Sequence, residues 1–386
     1  MTARRISSIS PFHAMALLAR ARELEAQGRS IVHMEIGEPD FSTPQPIVDA
    51  GIRALAEGRT HYTPAVGLSQ LREAIAQRYY ERGYGVTVDP RRILVTPGAS
   101  GALQLILGLL VDPGREVLMS DPGYPCNRNF VYLYEGRPVA VPATAENHYQ
   151  LSVEALEQHW TDETCAVMIA SPSNPTGTVV AKQTLGALLE LARARGAAVM
   201  VDEIYSGLSY DEPPRTALAL GDDVFVLNSF SKYFGMTGWR LGWLVAPEAC
   251  VDDLDMLAQN LFLAAPTPAQ YAALAAFEPE TLAVLEQRRA EFRARRDFLL
   301  PALRNLGFHI PVEPQGAFYL YADCSGLTGD SYAFAHALLE QAGVAITPGI
   351  DFGRFRAAQH VRFAYTTSLA QLEEGVERIA AFLAAN

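Results

Sequence analysis

VFVLNSFSKYFGMTGWRLGWLVA, residues 224–246, consists of two apolar runs held apart by a polar, aromatic and glycine-rich stretch that carries one lysine. VFVLN (224–228) and LGWLVA (241–246) are too short for helices and rich in branched and aromatic residues, so both read as strands. Working back along the chain, the same pattern recurs in AVMVD (198–202), AVMIA (166–170), PVAVP (138–142), EVLMS (116–120) and ILVT (93–96), with helical patterns between the runs. None of the seven alternates polar with apolar residues. A strand that is apolar on both faces must be covered on both, which implies an α/β fold: a mostly parallel, seven-stranded sheet lying between helices.

Forward of the quoted stretch, 268–305 reads as a long helix interrupted near 278–279, with arginines at 288, 289, 293, 295, 296 and 304 on its wet side. AFYLYAD (317–323), VAIT (344–347) and HVRFAY (360–365) follow as strands, with helices near 331–342 and 369–385. A helix near 12–27 would pack on them. The expected organisation is an N-terminal arm and part of a small domain in 1–45, a large domain in 46–285, and the rest of a smaller α/β domain in 286–386, so that both ends of the chain build the small domain.

With 386 residues, 49% of them hydrophobic, the chain can bury a large core. Its net charge of -12, without a basic run, disfavours nucleic acid or an anionic membrane as partner. The four cysteines, Cys126, Cys165, Cys250 and Cys324, form no CxxC pair, so neither a disulfide framework nor a metal site is signalled. The first residues lack the apolar core of a secretory signal, and no stretch reaches the ~18 apolar residues of a membrane span. A cytoplasmic protein is expected.

In open α/β sheets, ligands bind beyond the carboxyl ends of the strands. ILVT runs into Pro97-Gly98-Ala99-Ser100-Gly101 and a helix, which offers backbone N–H groups and a hydroxyl to a phosphate; an ordinary strand-to-helix junction looks the same. AVMIA ends in SPSNPTG (171–177), where prolines hold Asn174 at the sheet edge; a plain Pro/Gly turn is the bland alternative. AVMVD closes on Asp202, followed by Tyr205. A carboxylate there needs a partner, either a ligand's heteroaromatic N–H⁺ or a structural salt bridge. Lys232, among serines, aromatics and glycines, has the surroundings that lower an amine pKa and make it a nucleophile toward carbonyls. Ser229, Ser231 and Arg240 could grip a phosphate beside it. Arg362 sits in an apolar strand, where an unpaired guanidinium is costly; a ligand carboxylate or a core acid must meet it.

These residues resemble the class I/II aminotransferases, the fold-type-I pyridoxal-phosphate enzymes, over nearly the whole chain. The motifs arrive in the family's order: IGEPDF (36–41), YTPAVG (62–67), TPGASGAL (96–103), DPGYP (121–125), SPSNPTG (171–177), DEIY (202–205), SFSKYFGMTGWRLGW (229–243), PQGAFYL (314–320), PGIDFG (348–353) and VRFAY (361–365). The resemblance implies that Lys232 carries pyridoxal 5'-phosphate as a Schiff base and shuttles the proton, and that Asp202 keeps the pyridine nitrogen protonated. It implies that Asn174 and Tyr205 bond the 3'-oxygen and that Ala99, Ser100, Ser229 and Arg240 hold the phosphate, with Ser231 a weaker candidate. Tyr124 would stack on the ring where many relatives have tryptophan. Arg362, the Gly37 backbone and Asn174 would take the substrate α-carboxylate. Tyr62 is similar to the tyrosine that reaches the neighbouring subunit's phosphate, so a homodimer with shared sites is expected.

Amino-acid and 2-oxo-acid substrates follow from the resemblance. Relatives specialised for dicarboxylates supply an extra cation where this chain has Ser100, and the stretch 9–15 offers apolar surface and His13. A neutral or hydrophobic donor is therefore expected, with 2-oxoglutarate as acceptor on family grounds. The rival is a C–S lyase performing β-elimination on the same cofactor. A dinucleotide-binding dehydrogenase would need a GxGxxG after the first strand, which is missing.

Overall fold

The computed structural model describes residues 2–211, 213 and 215–385; Met1 and Asn386, the outermost residues of the expected domains, lie outside them. Each of the seven apolar runs is a strand: β2 (Ile93–Thr96), β3 (Glu116–Asp121), β4 (Arg137–Pro142), β5 (Thr164–Ala170), β6 (Ala198–Asp202), β7 (Phe225–Ser229) and β8 (Gly242–Val245), preceded in the chain by a short β1 (Val32–His33). The seven form one sheet in the order β2-β8-β7-β6-β5-β3-β4. β8 runs antiparallel to both its neighbours, and the other pairings inside the sheet are parallel. Successive strand residues feed opposite cores: Val199, Val201, Val226 and Val245 pack on one face, Met200, Leu227 and Leu244 on the other. This explains the unbroken apolar runs. Burying each such side chain contributes about 1.5–3 kcal/mol.

A second set of strands lies outside the sheet. β9 (Tyr319–Asp323), β11 (Thr347–Pro348) and β12 (His360–Ala364) form an antiparallel sheet in the order β11-β12-β9, and β10 (Val344–Ala345) pairs in parallel with β1. The run read as the single strand VAIT is thus divided between two sheets at Ile346. The helix His13–Ala26 packs Leu17, Ala21 and Leu24 on Ile31, Leu339 and Ala345. Both chain ends therefore build the smaller α/β layer.

The helix Thr267–Leu274 and the long helix Pro279–Asn305 are separated by a turn at Ala275–Phe277, so the expected interruption is present. Pro279 explains the restart, because its fixed φ suits the first helical turn and its missing N–H is not needed there. The long helix places Leu285 in the core of the large sheet and Phe292, Leu299 and Leu303 in the other core. We propose domain borders at 45/46 and 285/286 on this basis. One expectation is corrected: Arg295 and Arg296 are buried rather than wet. Carboxylates make this tolerable, since Arg295 meets Asp40 at 2.9 Å and Glu291 at 3.1 Å, while Arg296 meets Asp211 and Asp297, each at 2.8 Å.

Among the described residues no helix is long and apolar enough to cross a membrane, and no group of three or more His, Cys, Asp or Glu could hold a metal ion.

Candidate active site

The carboxyl edge of the large sheet collects the singled-out residues. After β2, the helix Gly98–Leu110 begins without a side-chain cap, leaving the N–H groups of its first turn unclaimed by any cap. Gly98 has φ +70°, and a Cβ added to it would lie 2.7 Å from Nη2 of Arg240, so the guanidinium rests against this turn. Arg240 is exposed, donates Nη1 to Thr237 O at 2.9 Å and makes no ion pair among the described residues. Ser229, at the end of β7, is buried, and its Oγ accepts the Ser231 N–H at 3.0 Å. Helix N-terminus, Ala99, Ser100, Ser229 and Arg240 form a cationic cradle with donors to spare.

Asp202 closes β6 and is 7% exposed. Burial raises its carboxyl to a pKa of about 6, against the pull of the Ile204 N–H at 3.1 Å and of the Lys232 charge. It makes no ion pair among the described residues, which removes the structural salt bridge as its explanation. Lys232 is half-buried and donates Nζ to Gly37 O at 2.7 Å. Burial lowers its amine to about 8; Arg362 and Arg240 push in the same direction, while Glu38 and Asp202 oppose. Tyr205 is buried, and its hydroxyl lies 2.8 Å from that of Tyr319. Burial holds the Tyr205 phenol well above its ordinary pKa, so it stays protonated and able to donate.

Arg362, in β12, is 2% exposed and has no carboxylate partner among the described residues. Its Nη1 donates to Asn174 Oδ1 at 2.9 Å and its Nη2 to the Glu35 carbonyl, while the buried Nε has no partner. The guanidinium packs 4.3 Å from the Tyr319 ring centre and 4.8 Å from that of Phe352. With Oδ1 engaged by Arg362, the Nδ2 of Asn174 is the end left to donate. Three consecutive carbonyls hold the cluster together: Glu35 O accepts from Arg362 and Thr347, Ile36 O from Thr366 at 2.9 Å, and Gly37 O from Lys232. A Cβ on Gly37 would fall 1.9 Å from the Tyr319 hydroxyl, so glycine is required there.

A family model described as aminotransferase class I and II matches residues 29–379. The chain belongs to the class I and II aminotransferases. It is 38% identical to the (5-formylfuran-3-yl)methyl phosphate transaminase of Methanocaldococcus jannaschii, over 99% of this chain and 100% of that protein. It is 37% identical to the aspartate aminotransferase of Geobacillus stearothermophilus, over 99% of each. An aminotransferase structure from Mycobacterium tuberculosis superposes with a TM-score of 0.95 at 36% identity, covering 100% of both chains.

Aminotransferases of this family use pyridoxal phosphate, and the donor set here fits it. An uncapped helix start with Arg240 suits a phosphate, a buried carboxylate without a cation suits a pyridinium, and an amine lowered to about 8 suits an aldehyde. Tyr124 precedes the helix Pro125–Leu133, and its ring meets Phe12 edge-on at 6.2 Å. Ser231 is buried and bonds through its backbone, its carbonyl accepting from Thr237 at 3.0 Å. Tyr62, unlike the buried cluster, is 82% exposed and available to a second molecule.

Sequence reasoning missed Tyr319, Thr347 and Glu35, which position Arg362 in this aminotransferase. It also missed Asp121, which closes β3 as Asp202 closes β6 and so carried the same signal. Asp121 accepts the N–H groups of Arg354 at 2.8 Å and Phe355 at 3.1 Å.

Proposed function

We propose that this aminotransferase moves the amino group of a neutral or hydrophobic L-amino acid to 2-oxoglutarate, with Lys232 holding the cofactor as a Schiff base. The carrying observation is Arg362, a buried guanidinium with a free Nε and no acid to meet it. A substrate α-carboxylate supplies the missing charge through two parallel hydrogen bonds, and Asn174 Nδ2 adds a third donor. Bound pyridoxal phosphate supplies the electron sink for negative charge at the substrate Cα.

Asp202 holds the ring nitrogen protonated; Tyr205 and Asn174 donate toward the ring oxygen. Ala99, Ser100, Ser229 and Arg240 hold the phosphate, with Ser231 beside them, and Tyr124 covers the ring face. Lys232, once free, is neutral in a large fraction of molecules near pH 8 and can take the Cα proton. Its bond to Gly37 O keeps that amine at the carboxylate end of the substrate. The relatives' names span a phosphate ester and aspartate as substrates, so donor choice rests on the groups facing the side chain. We propose a cytoplasmic homodimer, with the exposed Tyr62 reaching the partner's phosphate.

The test is a single-turnover reaction of the holoenzyme with one donor at a time. Alanine, methionine and phenylalanine should each yield one equivalent of 2-oxo acid per site and exceed aspartate in kcat/KM, and Lys232→Ala should abolish multiple turnover. Continuous release of pyruvate and ammonia from a β-substituted donor, with no acceptor present, would instead mark a lyase.

A further inference from the structure

A recess of about 410 Å³ lies beside the carboxylate site, lined by the arm residues Ser8, Ser10 and His13, by Asn127 and Arg128, and by Phe352 and Arg354. It falls in the size range of small-molecule pockets. Phe352 joins the two places, because the ring that lines the recess also packs against Arg362 at 4.8 Å. A substrate held at Arg362 can therefore extend its side chain past Phe352 and Tyr124 into this space.

The charges in the recess are uneven. Arg128 donates Nη2 to the backbone carbonyl of Asp351 at 2.8 Å, and neither it nor Arg354 makes an ion pair among the described residues. Asp121 is the one carboxylate in the lining, and its hydrogen bonds are confined to Oδ2, its buried Oδ1 having no partner among the described residues. Its Oδ2 accepts the N–H groups of Arg354 and Phe355, and its Oδ1 lies where a Cβ on Gly353 would sit, 1.7 Å away. Asp351, next to the recess, is spent on the N–H groups of His13 and Ala14 at 2.8 and 3.1 Å. Asn127 lines the recess at 6% exposure with its Oδ1 unpartnered. Two guanidiniums without an ion pair therefore line one space, which carries more positive than negative side chains. Met119, Met168, Ile350 and Phe352 add apolar lining.

We propose that this recess binds the second carboxylate of a five-carbon 2-oxo diacid, with Arg354 and Arg128 as the specificity-determining cations and Asn127 as their hydrogen-bonding neighbour. The proposal rests on the transamination reading and adds the residues that select the acceptor. Apolar lining in the same recess as the cations suits the methylene chain of such a diacid. The same apolar lining accommodates an uncharged donor side chain.

The experiment measures holoenzyme kinetics with one neutral donor against two acceptors, 2-oxoglutarate and pyruvate. In Arg354→Gln, and in the double variant with Arg128→Gln, KM for 2-oxoglutarate should rise about tenfold or more, the usual weight of a charged hydrogen bond. KM for pyruvate should change less than threefold. Arg354→Lys should restore part of the preference, and because the Arg354 side chain is exposed, its variants test the idea even if Arg128→Gln does not fold. Equal loss with both acceptors, or no change with 2-oxoglutarate, overturns the proposal. A wild-type enzyme that transfers no amino group to either acceptor instead refutes the transamination reading on which it rests.

Discussion

Replacing Asp202 with asparagine should stabilise the cofactor-stripped protein while crippling the enzyme. Burial raises this carboxyl from 3.8 to about 6, so the folded chain disfavours its charged form. Below pH 3.8 the group is protonated in both folded and unfolded chains and costs nothing. Between 3.8 and about 6 the unfolded chain ionises first and the penalty grows; above about 6 it is complete. A rise of this size is worth about 3 kcal/mol, and asparagine, isosteric and neutral, escapes it. It still accepts the Ile204 N–H, which bonds Oδ1 at 3.1 Å. Losing the attraction to Lys232 and burying an amide leave an expected gain of about 1–3 kcal/mol at pH 7.5. Urea unfolding of stripped wild type and Asp202→Asn at equal protein concentration, at pH 4.5, 6 and 7.5, reads this out as a midpoint difference that widens with pH at constant m. A variant less stable than wild type at pH 7.5, or one stabilised equally at pH 4.5 and 7.5, would refute the reasoning. In the loaded enzyme the sign reverses, because a protonated pyridine loses its counter-charge, and turnover should fall by several orders of magnitude.

Arg362→Lys should lower kcat/KM for every donor by about 10²–10³, since an ammonium cannot serve Asn174, the Glu35 carbonyl and a substrate carboxylate together; a change under threefold in steady-state kinetics would show that Arg362 only packs. His33 is raised to about 9, chiefly by its 2.7 Å bond to the buried Glu35, so the stability it contributes is fully present below pH 6.5 and lost as pH rises through about 9. Solvent screening at this partly exposed ring leaves about 1–2 kcal/mol. Wild type should lose its advantage over His33→Gln between pH 7 and 10 in thermal melts, and a constant gap across that range would exclude the link.

The large sheet was legible because continuous apolar runs have one physical explanation, burial on both faces. The smaller layer was less so. β1 is two residues long, with no periodicity to detect, and Val344–Thr347 reads as one strand although its halves pair with different partners. Arg362 stood out as a charge between apolar neighbours, and the fold brings Asn174 to it from far along the chain. Arg295 and Arg296 could not be placed from helix pattern alone, because the acids that permit their burial come from other elements as well as their own. Arg128 and Arg354 carried no local signal, since surface arginines in helices and loops are ordinary. Only the closure of the arm over the sheet edge makes them face one space.

The pairing of β1 with β10 sets an order of assembly. Val32 must wait for Val344, about 310 residues later, before its hydrogen bonds can form. At the pace of protein synthesis that delay is about 15–60 s, during which every strand of the large sheet leaves the ribosome. Gly37 O can meet Lys232 early, but the carbonyls of Glu35 and Ile36 gain Arg362 and Thr366 only after β12 emerges, so the proposed carboxylate site is completed late. A nascent chain therefore carries every residue of the proposed phosphate cradle, Ala99 to Arg240, well before it carries Arg362.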